Sequence, residues 1–142
     1  MLEYFLIFLI GYLAGCFNIA YIISKLKKID LKKNGTGNLG ASNATILLGK
    51  KWGLVTLICD VFKAFIIVYL FKNIFFVEIA YSFIIGGLAV IIGHIFPFYL
   101  KFKGGKGFAS YLGFILGVDF IAFLILIGII LLVIYSNISY PP

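Results

Sequence analysis

The sequence predicts an all-α protein, a polytopic bundle of membrane-spanning helices. Three observations lead there. Hydrophobic residues make up 63% of the 142 residues, charged residues only 12%, and the mean hydropathy is +1.17. The apolar residues fall in continuous runs of bilayer-crossing length. The lysines gather in the short segments between those runs. Together these exclude an ordinary water-soluble domain, because lipid must solvate most of such a surface. The chain also has no room for a large soluble catalytic domain.

Apolar runs cover about Tyr4 to Ser24, Ala44 to Phe71 and Ile79 to Phe96, with a last stretch from Phe108 to Tyr135. The first three read as single helices. The last is either one long tilted helix or two short ones turning near Gly117, Val118 and Asp119. The turn is favoured, since a carboxylate in mid-bilayer is costly. The expectation is about five transmembrane helices, or four if the last stretch is one helix. Residues 1–142 read as a single transmembrane domain, with no Ser/Pro-rich linker, heptad array or clear internal repeat. The N-terminal run carries Glu3 where a secretory leader would be basic, so it reads as a retained first helix.

All the basic side chains are lysine. Lys25, Lys27, Lys28, Lys32, Lys33, Lys50 and Lys51 lie between the first two spans, and Lys101, Lys103 and Lys106 follow the third. Short lysine-rich loops stay on the cytoplasmic side, and both fall on that side with the N-terminus outside. Glu3, Lys72 and Glu78 fall on the opposite face, with Asp119 a further candidate there. Cys16 and Cys59 sit inside apolar runs without disulfide or metal partners and read as packing residues. The proline pair Pro141 and Pro142 carries no readable signal.

The first basic loop, Asp30 to Asn43, is rich in glycine. Gly35, Gly37 and Gly40 formally match GxGxxG, but a dinucleotide site needs a preceding strand, and here a membrane helix precedes. What remains is the chemistry of a phosphate cradle. Glycines admit an anion to backbone N–H groups, and Thr36, Asn38, Ser42 and Asn43 offer short polar contacts. A helix start expected about Ser42 supplies further N–H groups. A polar turn capped by Ser42 or Asn43 accounts for the same residues about equally well.

The second loop, Gly93 to Gly107, closes with Lys103, Gly104, Gly105, Lys106 and Gly107. It lacks the upstream glycine and the Ser/Thr after the lysine that a Walker loop requires, which argues against a nucleotide triphosphatase. Its lysines, interleaved with Tyr99 and Phe102, suit either an interfacial anchor or a phosphate-binding turn that opens a helix. His94 is the only histidine and sits at the cytoplasmic end of the third span; lone histidines are more often packing groups than catalysts. Asp60 and Lys63, one turn apart inside the second span, read as a structural ion pair. If it faces the loops, Lys63 could instead reach an anionic substrate.

At these loops the sequence resembles the bacterial acyl-phosphate glycerol-3-phosphate acyltransferase family, the PlsY type of membrane enzyme. The family's first motif, D-x-R-x-x-G-S-G-N-x-G-A-T-N, is matched in spacing by Asp30 to Asn43, with Lys32 for the arginine, Thr36 for the serine and Ser42 for the threonine. The second, G-H-x-x-P followed by F-K-G-G-K-G, is matched by Gly93, His94, Pro97 and Phe102 to Gly107. The likeness runs from about Gly11 to Tyr135. Near Gly15 it departs, with Cys16, Phe17 and Asn18 standing for serine, isoleucine and proline. The family pattern continues through two further helices to a third cytoplasmic motif, absent from these 142 residues. The chain thus reads as a fragment, a degenerate paralogue, or a compact version that works differently.

The resemblance implies transfer of an acyl group from acyl phosphate to the 1-hydroxyl of glycerol 3-phosphate, giving lysophosphatidate in phospholipid synthesis. It implies a bacterial inner membrane protein with cytoplasmic glycine loops, no cofactor or metal, membrane lipids as surroundings and no nucleic acid partner. Lys32, Gly35, Thr36, Gly37, Asn38, Gly40, Ser42 and Asn43 would hold one phosphate, and Lys103, Gly104, Gly105, Lys106 and Gly107 the other. His94 would be the catalytic-site histidine, orienting a polar group. The rival reading is a non-catalytic, truncated paralogue or fragment that binds anionic lipid headgroups. A small transporter centred on Asp60 and Lys63 lacks the inverted repeat it would need.

Overall fold

A computed structural model describes residues 1–139, with side chains to Ser136, so Pro141 and Pro142 lie outside the described residues. The described residues form helices α1 (Leu2–Cys16), α2 (Ile19–Leu26), α3 (Ala41–Leu48), α4 (Lys50–Asn73), α5 (Ser82–Ile95), α6 (Phe108–Val118) and α7 (Phe120–Ser139). A short 3₁₀ turn covers Phe98–Leu100. The all-helical membrane bundle is as expected.

Three stretches are long and apolar enough to cross a bilayer: Leu2–Leu26, Lys50–Asn73 and Ser82–Leu100. Of the five spans expected, three are thus full-length among the described residues, and the remaining two correspond to shorter apolar helices, Phe108–Val118 and Phe120–Ser136. With 11 residues, α6 rises only about 16 Å, against a hydrocarbon core of about 30 Å. The turn favoured in the last stretch is present: Asp119 leaves the helical conformation, and its Oδ1 accepts from the Ala122 amide at 2.8 Å, starting α7. A carboxylate is there put to use as an N-cap.

Two expected helices prove to be broken. The first span is interrupted at Phe17 and Asn18, both extended, and Asn18 caps α2 by accepting from the Tyr21 amide at 2.9 Å. The break thus needs no proline. The expected Ala44–Phe71 span divides at Gly49, whose φ of +93° no helix allows, leaving α3 as a separate short helix. That helix starts at Ala41 with Gly40 as its N-cap, so neither Ser42 nor Asn43 caps it.

Helices α1 and α5 run parallel and cross on glycines. A Cβ at Gly11 would strike the Gly86 carbonyl, one at Gly15 the Val90 carbonyl, and one at Gly93 the Tyr12 carbonyl. The same device joins α6 to α4, where a Cβ at Gly113 would strike the Val61 carbonyl. Between helices in lipid the gain comes from close packing rather than from water exclusion, so small residues carry these crossings. Gly15→Leu should therefore cost about 1–3 kcal/mol or more, because backbone atoms cannot yield as a side chain does. Gly128→Ala, with nothing within 4 Å of the added methyl, should leave stability unchanged. Thermal midpoints in detergent micelles check the contrast.

Candidate active site

Both glycine-rich loops lie at the same end of the bundle. Leu31 and Leu39 of the first pack with Leu100 of the second, Ala20 and Ala44 in a buried cluster. The Lys32 ammonium donates to the Leu100 carbonyl at 2.9 Å. Beside this junction lies a cavity of about 600 Å³, lined among others by Tyr21, Lys25, Lys28, Lys32, Tyr99 and Lys101. Burial pushes the Lys32 ammonium below the usual lysine range; Asp30 opposes this, while Lys103, Lys101 and Lys25 reinforce it. Lys32 should therefore discharge before an ordinary lysine as pH rises. Inorganic phosphate affinity measured by calorimetry from neutral to about pH 10 should fall early, and Lys32→Arg should flatten that fall. The same decline in the arginine variant would remove Lys32 from the explanation.

The first loop is built around one buried side chain. Asn43 Nδ2 donates to the Leu31 carbonyl at 2.8 Å, to Asn38 at 2.9 Å and to Asn34 at 3.3 Å, while Oδ1 accepts from the Thr36 amide at 2.9 Å. Gly35 and Gly37 have φ of +61° and +69°, the left-handed region that favours glycine. A Cβ on Gly35 would also strike Asn43 Oδ1. Asn43, expected as a ligand contact, is thus occupied in shaping the loop. Thr36 and Ser42 are exposed and Asn38 partly so, and their side chains make no hydrogen bond among the described residues. From outside the motif, Asn18 Nδ2 holds the Leu39 carbonyl at 3.0 Å.

In the second loop the Gly104 amide donates to the Ile95 carbonyl at 2.9 Å and the Gly105 amide to the His94 carbonyl at 3.1 Å. The turn therefore lies directly on the end of α5. Gly107, with φ of +82°, leads into α6. Lys103 and Lys106 are exposed and unpaired among the described residues. Lys101 and Phe102 both adopt left-handed conformations, φ +56° and +57°, an uncommon pair for residues with side chains. In the first turn of α6 the Ser110 hydroxyl is buried with no partner among the described residues.

Beneath the second loop, His94 (2% exposed) meets the two charges of α4. Lys63 Nζ lies 2.8 Å from Asp60 Oδ1 and 2.8 Å from His94 Nδ1, and donates to the Phe17 carbonyl at 2.9 Å and the Gly15 carbonyl at 3.3 Å. Tyr99 Oη donates to the neighbouring Cys16 carbonyl at 2.8 Å. The carbonyls freed where α1 breaks off are thereby satisfied, as buried backbone requires. The ion pair expected within the second span is present, and Lys63 is fully engaged by protein acceptors.

A family model described as glycerol-3-phosphate acyltransferase matches residues 5–139. The chain belongs to the glycerol-3-phosphate acyltransferase family. Among members of that family, the glycerol-3-phosphate acyltransferase 1 of Oceanobacillus iheyensis is 40% identical over 137 residues, covering 92% of this chain and 66% of that protein. The glycerol-3-phosphate acyltransferase of Aquifex aeolicus is 38% identical over 125 residues, covering 85% and 65%. The glycerol 3-phosphate form of PlsY, an integral membrane glycerol 3-phosphate acyltransferase, superposes with a TM-score of 0.79 at 36% identity, covering 90% of this chain and 66% of that one. Its lysophosphatidic acid form gives 0.76 at 34% identity, covering 86% and 60%. This chain thus spans 60 to 66% of the length of these family members.

Of the residues that the sequence singled out, the structure places Gly35, Thr36 and Asn38 against Asn43 and Gly104 and Gly105 against His94, while Ser42, Lys103 and Lys106 stay exposed. Lys32 joins the two loops. Asn18, Lys28 and Tyr99 were named in the sequence without a role in the site, and only their place next to the motifs could have marked them for one.

Proposed function

We propose that this chain is a membrane acyltransferase, moving an acyl group from acyl phosphate to the 1-hydroxyl of glycerol 3-phosphate. The observation that carries the reading is the meeting of two glycine-rich, lysine-bearing loops from distant parts of the sequence, with Lys32 on the Leu100 carbonyl at 2.9 Å beside a basic cavity. Two phosphate-bearing substrates need two such loops side by side. Family membership, and relatives named for glycerol 3-phosphate and lysophosphatidic acid forms, support the same substrates.

Acyl phosphate is already an activated anhydride. The glycerol hydroxyl attacks the acyl carbon, a C–O bond forms, the bond to the phosphate oxygen breaks, and the departing phosphate takes the hydroxyl proton. The protein's share is to align two anions and exclude water, with no covalent nucleophile required. Lys32 and the first loop hold one phosphate. Lys103, Lys106 and the amides of Lys106 and Gly107 hold the other, at the start of α6, with Gly104 and Gly105 shaping the turn through their bonds to α5. The acyl chain lies along the lipid-facing helices. Both loops face the cytoplasm at the bacterial inner membrane, by the lysine distribution.

Purified chain in phosphatidylcholine nanodiscs, given acyl phosphate and labelled glycerol 3-phosphate, should yield labelled lysophosphatidate. Binding of anionic lipid headgroups with no transfer would leave the headgroup-binding reading in its place. For orientation, cysteines introduced at Asn34 and Lys103 should resist an impermeant reagent applied outside intact cells. Efficient labelling of either would overturn the cytoplasmic placement.

A further inference from the structure

We propose that Lys63 and Asp60 are positioning residues of the second glycine-rich loop. They hold His94 as a neutral imidazole with its proton on Nε2, facing Gly105, so that the histidine donates a hydrogen bond to an anion and does not serve as a general base. The anion's identity rests on the acyl-transfer reading; the state of the imidazole does not.

The count of protons around Lys63 fixes the tautomer. The Lys63 ammonium has three N–H groups and no acceptor. Its near neighbours are Asp60 Oδ1 and His94 Nδ1, each at 2.8 Å, and the Phe17 carbonyl at 2.9 Å, with the Gly15 carbonyl farther off at 3.3 Å. Three protons for three close acceptors leave Nδ1 accepting. A neutral imidazole that accepts at Nδ1 carries its proton at Nε2.

The competing arrangement has Nδ1–H donating to Asp60 Oδ1. That separation is 3.4 Å, beyond the usual N–H···O range, and the N–H would then confront the ammonium. A doubly protonated ring would set two cations 2.8 Å apart with one carboxylate between them. Burial makes either arrangement worse, since His94 and Asp60 are each 2% exposed.

The other edge of the ring meets the loop. A Cβ on Gly105 would strike Nε2 and come within 2.8 Å of Cε1, so the imidazole lies flush against the Gly105 backbone. Nε2 has no hydrogen-bond partner among the described residues. Its N–H is therefore presented where the exposed Lys103 and Lys106 flank the turn. With Nε2 protonated and Nδ1 occupied, His94 has no free lone pair with which to take a proton from the glycerol hydroxyl.

Because the chain has one histidine, selective ¹⁵N labelling gives one pair of imidazole resonances without assignment. At neutral pH the spectrum should show Nε2 protonated and Nδ1 unprotonated, and added inorganic phosphate should shift Nε2 more than Nδ1. Lys63→Met should mix the tautomers and abolish the phosphate-induced shift, whereas Lys63→Arg, which keeps the charge, should restore both. Protonation of Nδ1 in the unmodified chain, as tautomer or as imidazolium, would overturn the proposal. So would a phosphate response at Nδ1 alone or at neither nitrogen. The unmodified spectrum decides even if Lys63→Met does not fold, and it decides whether or not acyl transfer is observed.

Discussion

Lys63→Met is expected to lower stability by about 3–5 kcal/mol, the usual cost of removing one partner from a buried ion pair. Three losses combine. Asp60 stays 2% exposed with its nearest cation gone. The Phe17 carbonyl at the break in the first span loses its donor. His94 loses the group that fixes its ring. A fall in thermal midpoint on the order of 10 °C should follow in detergent micelles. Adding Asp60→Asn to Lys63→Met should recover part of the loss, because a neutral amide is far cheaper to bury than an unpaired carboxylate. Equal destabilisation by the single and double variants would mean that the pair contributes only through its packing.

Asn43→Ala should have the next largest effect, about 2–4 kcal/mol. A single buried amide serves the Leu31, Asn34 and Asn38 carbonyls and the Thr36 amide, and leaving buried polar groups unpaired costs about 1–3 kcal/mol each. Water can reach the exposed groups, which keeps the total below a simple sum. Asn43→Asp should be at least as damaging, since it turns donors aimed at three carbonyls into a carboxylate. Affinity for glycerol 3-phosphate should fall more than tenfold in both variants. Ser42→Ala, an exposed hydroxyl without a partner among the described residues, should change stability by less than about 0.5 kcal/mol. Similar losses at Asn43 and Ser42 would contradict a loop organised by one side chain.

Much of this architecture was legible in the sequence because lipid imposes simple rules. Long apolar runs, the lysine-bearing segments between them and the misplaced Asp119 were enough for the helical bundle and the turn before α7. What stayed hidden depends on local backbone or on pairs of residues. Hydropathy cannot see the φ of Gly49, so α3 and α4 merged into one run. Asn18 breaks the first span through its own capping bond and a second bond to the Leu39 carbonyl, neither visible without the partner. The motif spacing located the first loop but not the division of labour within it. Asn43 read as one more phosphate contact because an internal amide scaffold and a ligand-binding amide use the same atoms. Asp60 and Lys63 stood out as a pair, while their connection to His94, 31 positions beyond Lys63, required the packing of α4 against α5.

If the proposed acyl transfer depends on a substrate phosphate held by the first loop, it must fail in Lys32→Ala and Gly37→Ala. Lys32 supplies a charge at the junction of the loops, and Gly37 has φ of +69° with open space around it, its nearest neighbour being the Lys32 carbonyl at 3.4 Å. An alanine would fit there but would strain the left-handed backbone by about 1–2 kcal/mol and turn the amides away from the anion. Transfer to labelled glycerol 3-phosphate should fall at least tenfold in both variants, and Lys32→Arg should retain or exceed the original rate. Normal transfer by both Lys32→Ala and Gly37→Ala would move the site away from the first loop.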